Sequence, residues 1–416
     1  MGNLTDYKQT EIGRIPKDWA VVELDEVVDI NKESRDPTKE FPLENFLYID
    51  IDSIENETGV IKRAKTIVGK DAPSRARRVI HYNDVLMSTV RPYLKAFAIV
   101  PKEYDDQICS TGFAVLSSKG KILPSYLLYI LFSRFVISQC NKMMVGAQYP
   151  ALNISQVKRL KIPLPPLPEQ RKIAEILSTV DEAIEKVDEA IAKTERLKKG
   201  LMQNLLTKGI GHKEFKDTEI GRIPKEWEVV RIENIGNVVT GTTPSTKISE
   251  YWGTDIPFVT PSDFKKTKYV KYTERKVSKI GSEKGKLIPP KSVMVVCIAS
   301  IGEVSLASSL CITNQQINSI VCKENIEPEF IYYVLIDRKR ILQSWAGITT
   351  TPIIKKSLFE KFPIPLPPLP EQRKIAEILS TVDKRLELLK SKKEKLKKIK
   401  KGLMNDLLTG KRRVKV

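Results

Sequence analysis

The sequence predicts an α+β chain. Two globular mixed α/β domains are separated by two long helices that form an antiparallel coiled coil, and an internal pseudo-twofold repeat relates the halves. Three observations predict this. IPLPPLPEQRKIAEILSTVD occupies residues 162–181 and returns letter for letter at 364–383. Apolar residues recur at heptad spacing after each copy, and short β-branched runs bounded by turn residues fill the region before each copy.

The frame extends beyond that block. TEIGRIPKDW (10–19) returns as TEIGRIPKEW (218–227), and GLMQNLLTKG (200–209) as GLMNDLLTGK (402–411). The offset falls from 208 (218 − 10) to 202 (364 − 162), so the second variable region is six residues shorter. The expected boundaries are 1–161 for the first globule, 162–209 for its proline segment and helix, 210–363 for the second globule, and 364–416 for the second proline segment, helix and basic tail. Cys109, Thr111 and Pro150 match Cys311, Thr313 and Pro352 at the 202 offset. Strand-like runs correspond as FLYIDI (46–51) with IPFVT (256–260), DVLMSTV (84–90) with SVMVVCIA (292–299), and KAFAIV (95–100) with INSIVC (317–322). Aromatic-rich stretches at 125–139 and 329–345 read as helix.

The prolines Pro163, Pro165, Pro166 and Pro168 exclude helix interior and central strand and favour an extended polyproline path. Pro168 suits a first helical turn, with Glu169 well placed against the dipole; Leu167 is a poor cap, so packing must hold that end. A polyproline ligand for a binding module is the sharper reading of PLPPLP, disfavoured because the segment opens a helix in both copies. Ile173, Val180, Val187, Thr194 and Leu201, interleaved with Leu177, Ile184, Ile191 and Leu205, form a heptad seam. Ile375, Val382, Leu389, Leu396 and Leu403 repeat it with Leu379, Leu386 and Leu407; Lys198, Lys393 and Lys400 interrupt the pattern and must snorkel or loosen the packing. Residues 181–199 carry five basic and six acidic side chains, whereas 383–401 carry ten and three. The resulting −1 and +7 favour pairing one helix with the other.

Composition sets the class. With 41% hydrophobic and 29% charged residues and no long apolar run, the chain reads as soluble, outside any membrane and cytoplasmic. Five scattered cysteines without a CxxC pair, and two histidines, argue against a disulfide framework, a zinc cluster and a His-based triad. The net charge of +19 attracts polyanions, although a lysine-rich surface can also serve solubility alone.

No GxxxxGK[ST], HExxH, GxSxG or [DNS]-P-P-[FY] motif occurs. The acid pairs Asp50–Asp52 and Asp105–Asp106 could hold a metal in a nuclease, but no Glu-x-Lys context closely follows either. No cofactor and no metal are expected. What remains is basic, amide and hydroxyl side chains interleaved with aromatics between strands. In the first half these are Arg75, Arg77, Arg78, Thr89, Arg91, Tyr93, Lys95, Gln148, Tyr149 and Asn153. In the second they are Thr242, Thr243, Lys247, Lys265, Lys266, Asn314, Gln315, Thr349 and Thr350. Arg and Lys suit phosphates and guanine edges, Asn and Gln suit adenine, and Thr methyls suit thymine. A frame kept symmetric around diverged fillings fits two readers of different half-sites.

The doubled IPLPPLPEQRKIAEIL block, with its GRIP-W opening and GLM-LLT ending, resembles the specificity subunit of a type I restriction-modification system over nearly the whole chain. That resemblance implies two target-recognition domains reading halves of a split, asymmetric site in double-stranded DNA, with the helices as a ruler for the unread gap. It implies no catalysis by the chain itself. Two modification subunits that use S-adenosylmethionine to methylate adenine dock on the repeated frame, with Glu169, Gln170, Arg171, Glu371, Gln372 and Arg373 as the docking residues, and ATP-driven restriction subunits join them. A related type II specificity protein, an autonomous DNA nuclease and a purely structural coiled-coil rod are the competing readings.

Overall fold

The computed structural model describes residues 6–145, 150–264, 268–347 and 351–415. The chain divides into two compact units, Met1–Glu189 with Ser391–Val416, and Ala190–Lys390. Each unit therefore owns a stretch of both long helices.

In the first unit TEIGRIP folds as a hairpin of Tyr7–Thr10 and Gly13–Pro16. Gly13 takes φ +113°, which a side chain rarely adopts, and Thr10 Oγ1 donates to its carbonyl at 2.6 Å. Ala20–Glu23 then pairs antiparallel with Lys161–Leu164. The proline segment thus begins as a strand instead of a free polyproline path, and Pro163 is tolerated because the ladder has only two strands.

Two four-stranded sheets follow. One runs in the order Lys65–Val68, Asn45–Ile49, Gln107–Ser110, Ala76–Ile80; the other runs Val28–Ile30, Phe113–Ser118, Val85–Ser88, Phe97–Ile99. Strand alternation sorts their side chains. Leu86, Phe113 and Val115 meet Ile49, Ile80 and Cys109 between the sheets, while Val85, Met87, Ala114 and Leu116 face the helices Pro124–Leu131 and Arg134–Met143. The stretch read as one helix at 125–139 is two, because Ser133 caps the second by accepting from the Val136 amide.

The second unit repeats the plan with a five-stranded sheet, in the order Gly236–Thr240, Ile317–Cys322, Val293–Val296, Val304–Ala307, Tyr269–Val270. Its four-stranded sheet runs Arg275–Val277, Trp252–Val259, Cys311–Thr313, Leu287–Ile288. One expected correspondence is corrected. Ile317–Cys322 lies between two strands, the place held in the first unit by Phe113–Ser118, and the edge strand Phe97–Ile99 corresponds to Val304–Ala307. Both runs are short and apolar, and periodicity carries no information on sheet order.

The long helices are Leu167–Leu205 and Leu369–Leu407, each 39 residues. In the first unit Asp181 pairs with Lys400 at 2.6 Å and Asp188 with Lys393 at 2.5 Å; in the second, Glu195 pairs with Lys390 at 3.1 Å and Asp383 with Lys198 at 2.6 Å. Partner numbers fall as residue numbers rise, so within each unit the two stretches run antiparallel. The seam lysines therefore snorkel onto carboxylates of the facing helix. Tyr129 and Tyr333 hydroxyls donate to the other oxygens of Asp181 and Asp383 at 2.9 and 2.6 Å, fixing those carboxylates from the globule side. Among the described residues no helix is long and apolar enough to cross a membrane.

Candidate nucleic-acid interface

The repeated block builds the platform from its buried ends. Trp19 Nε1 donates to Glu169 Oε2 at 2.9 Å, and Arg413 donates to the same carboxylate at 2.8 and 3.0 Å and to Asp18 at 2.9 and 2.8 Å. In the second unit Trp227 Nε1 donates to Glu371 at 3.0 Å, the Ile210 amide donates at 2.8 Å, and His212 Nε2 lies 2.9 Å away. Gln170 accepts from the Leu123 amide and donates to the Lys121 and Pro165 carbonyls; Gln372 accepts from the Glu327 amide and donates to the Pro367 carbonyl. The Glu-Gln pair ties the helix start to the GRIP-W opening and to the neighbouring globule, while the Glu169 and Gln170 amides donate to the carbonyl of Pro166, the residue before the helix.

The six residues expected to dock partners differ in exposure. Glu169, Gln170 and Gln372 are 2%, 0% and 2% exposed, and the Glu371 side chain is 14% exposed. All four make hydrogen bonds inside the fold. Arg171 and Arg373 alone of the six are exposed.

In the first unit, turns meet at one end of the sheets. Thr89 donates from N and Oγ1 to the Gly112 carbonyl at 2.8 and 2.9 Å, the Arg91 amide donates to the Pro150 carbonyl at 2.9 Å, and the Thr111 amide donates to the Arg75 carbonyl at 2.8 Å. These bonds bring 75, 89–95, 110–112 and 150–153 together. Arg91 and Lys95 have φ of +46° and +56°, an uncommon conformation for residues with a side chain.

The expected readers divide sharply on this face. Arg75 and Tyr93 are exposed, and Arg91 is half-buried at the turn. Thr89 is buried, with its hydroxyl donating to the Gly112 carbonyl. Lys95 pairs with Glu57 at 2.9 Å and Arg77 with Asp36 at 3.3 Å. Arg78 donates to Asn31 Oδ1 at 2.8 Å, and burial holds its pKa below the usual guanidinium value. Asn153 caps the helix Ile154–Lys158, its Oδ1 accepting from the Gln156 amide at 2.9 Å. Gln148 and Tyr149 lie outside the described residues.

In the second unit the Thr242 amide donates to the Thr313 carbonyl at 2.8 Å, Thr243 Oγ1 donates to Gln315 Oε1 at 2.7 Å, and Asn314 Nδ2 donates to Gln316 Oε1 at 2.8 Å. Thr242, Thr243, Asn314 and Gln315 thus form one cluster, with Thr242, Gln315 and Lys247 exposed. Lys265, Lys266, Thr349 and Thr350 lie outside the described residues. Lys268 and Tyr269, in the same KKTKY stretch, turn inward: Lys268 Nζ reaches Ser380 Oγ at 2.6 Å, and both side chains bond Glu329 at 2.5 Å.

Sequence reasoning missed the second-unit counterpart of the Arg91 turn. The Ala299 amide donates to the Pro352 carbonyl at 3.0 Å with φ +63°, as the Arg91 amide does to Pro150. The strand correspondence of 84–90 with 292–299 contained this signal. The turn escaped because Ala299, Ser300 and Ile301 carry no basic or aromatic group.

Gly241 closes the second-unit cluster. A Cβ there would lie 2.2 Å from the Asn314 carbonyl oxygen and 2.3 Å from that of Thr313. Gly241→Ala is expected to displace these turns at a cost of about 1–3 kcal/mol. Calorimetry checks this as a lowered unfolding transition of the second unit.

Three of the four acids considered for a nuclease are engaged otherwise. Asp50 accepts from the Ser53 amide and hydroxyl and pairs with Lys65; Asp105 accepts from the Tyr82 amide; Asp106 pairs with Arg35 at 2.8 Å. Among the described residues no group of three or more His, Cys, Asp and Glu side chains is placed to hold a metal ion.

Comparison with known proteins agrees with the doubled frame. A family model described as the type I restriction modification DNA specificity domain matches residues 16–194 and again 224–398. The type I restriction enzyme MjaVIII specificity subunit of Methanocaldococcus jannaschii is 29% identical over 99% of this chain and 96% of its own. The HindI specificity subunit of Haemophilus influenzae is 25% identical over 72% of this chain and 80% of its own. A chain solved in a study of complex assembly and conformational transition of the type I R-M system superposes with a TM-score of 0.62 at 28% identity, over 95% of this chain and 99% of that one.

Proposed function

The chain belongs to the type I restriction-modification specificity subunits, and from that premise we propose how its two units divide the work. It is a DNA-recognition subunit with two target-recognition domains. Each domain reads one half of a split, asymmetric duplex site with its own turn cluster, and the paired helices set the unread gap between the halves. The chain performs no chemistry itself. Methyl transfer belongs to two modification subunits seated on the repeated frame, cleavage to restriction subunits, and the assembly works in the cytoplasm.

One observation carries this reading. The same left-handed turn, pinned to a proline carbonyl, carries Arg91, Pro92 and Tyr93 in one unit and Ala299, Ser300 and Ile301 in the other. One backbone device, shared by both units but carrying unlike side chains, is what two readers of unlike sequences require.

The test is to co-express the chain with a modification subunit and map adenine methylation across the host DNA. One split motif with a fixed gap is expected, and replacing residues 20–160 by another such domain should change one half-site alone. Methylation or cleavage by the chain without partners, or a swap that altered both halves, would overturn the division of labour.

A further inference from the structure

The two units differ at one ladder position in a way that bears on how the second grips its ligand. In the first unit Lys65 stands opposite Tyr48 on the edge strand, and its ammonium pairs with Asp50. In the second unit Arg275 occupies the corresponding edge position, opposite Phe258. Among the described residues no carboxylate pairs with it. Its guanidinium instead lies over the Trp252 indole, 3.5 Å from the ring centroid, and 5.7 Å from that of Phe258.

The platform beneath it is itself fixed. Trp252 meets Phe258 edge to face at 5.2 Å, and its Nε1 donates to the Ser245 carbonyl at 3.1 Å. Ser245 belongs to the 242–247 stretch of the reading cluster. On the other side Phe258 pairs with Ile312, two residues before Asn314. Arg275 therefore stands about 10 Å, two strand spacings, from the ladder position that leads into the cluster. Stacking holds a guanidinium flat and leaves its N–H edge directed outward, the geometry suited to two phosphate oxygens at once.

Resting on the reading given above, we propose that Arg275, held on Trp252, is a DNA-phosphate anchor that seats the second recognition domain on its half-site. A phosphate contact positions without selecting sequence. It supplies affinity through counterion release, and each such contact contributes about 0.9 to the slope of log affinity against log salt.

The experiment compares Arg275→Gln, Arg275→Lys and Lys65→Gln in the full complex with modification subunits, using the split target duplex and a scrambled duplex over a salt series. Arg275→Gln should weaken binding to both duplexes about tenfold at low salt and lower the slope by about 0.9, with the methylated motif unchanged. Arg275→Lys should keep the slope but lose part of the affinity, because the ammonium has no planar face to stack. Lys65→Gln, whose charge is already neutralised by Asp50, should match wild type. Wild-type affinity and slope in Arg275→Gln would make the stack a packing contact and sink the proposal. A change in the bases methylated would make Arg275 a base reader and sink it equally. If the wild-type complex itself fails to prefer the split duplex, the recognition reading falls first and this proposal with it.

Discussion

Deleting residues 184–190 together with 391–397 will shorten the unread gap of the methylated motif and leave both half-sites unchanged. The two segments face each other: Asp188 and Lys393, which pair at 2.5 Å, lie within them, while the pairs Asp181–Lys400 and Lys198–Asp383 flank them. Seven residues preserve the heptad phase, so the apolar seam and the flanking ion pairs can re-form across the junction. The loss is about 10 Å of helix at ~1.5 Å per residue, equivalent to about three base pairs at ~3.4 Å each. Deleting only one of the segments should abolish soluble complex, because the flanking pairs cannot then be satisfied together. Methylation mapping reads the result. An unchanged gap in a folded double deletion would remove the ruler role from the helices, and altered half-sites would show that the turn clusters are not independent of them.

Glu169→Ala will destabilise the first unit by about 2–4 kcal/mol, lowering its unfolding transition by roughly 5–15 °C. Trp19 is 1% exposed, and its indole N–H would lose its acceptor inside the protein; an unsatisfied buried donor costs about 1–3 kcal/mol. Arg413 would lose two charge-assisted bonds in addition. Arg413→Ala should cost less, about 1–2 kcal/mol, because its side chain is 43% exposed and Glu169 keeps Trp19. Calorimetry of the full chain can follow the two transitions separately. A Glu169→Ala protein that unfolds within a degree of wild type would remove this explanation for the verbatim repeat.

The Glu-Gln pair marks how far the site is legible in the sequence. The Glu-Gln letters stood out as a repeat, but an unchanging pair reads equally well as a docking surface or as an internal clamp. The difference lies in partners far along the chain: Trp19 is 150 residues from Glu169, and Arg413 is 244 away. Arg78, Lys95 and Thr89, whose residue types suit DNA, likewise bond partners the sequence does not mark: Asn31, Glu57 and the Gly112 carbonyl. Residue type states what a side chain can bond. It does not state which bonds are already made.

The duplicated frame, the two long helices, the alternating strands of both globules and the unlike fillings are legible from the residues alone, because each is written in local periodicity or in direct repetition. Tertiary structure alone decided the order of strands within each sheet, the inward turn of Glu169, Gln170 and Lys268, and the contrast between a neutralised Lys65 and an unneutralised Arg275. Those outcomes depend on which group stands opposite across a ladder or a helix pair. Such neighbours are set by the packing of the whole unit, and no local spacing encodes them.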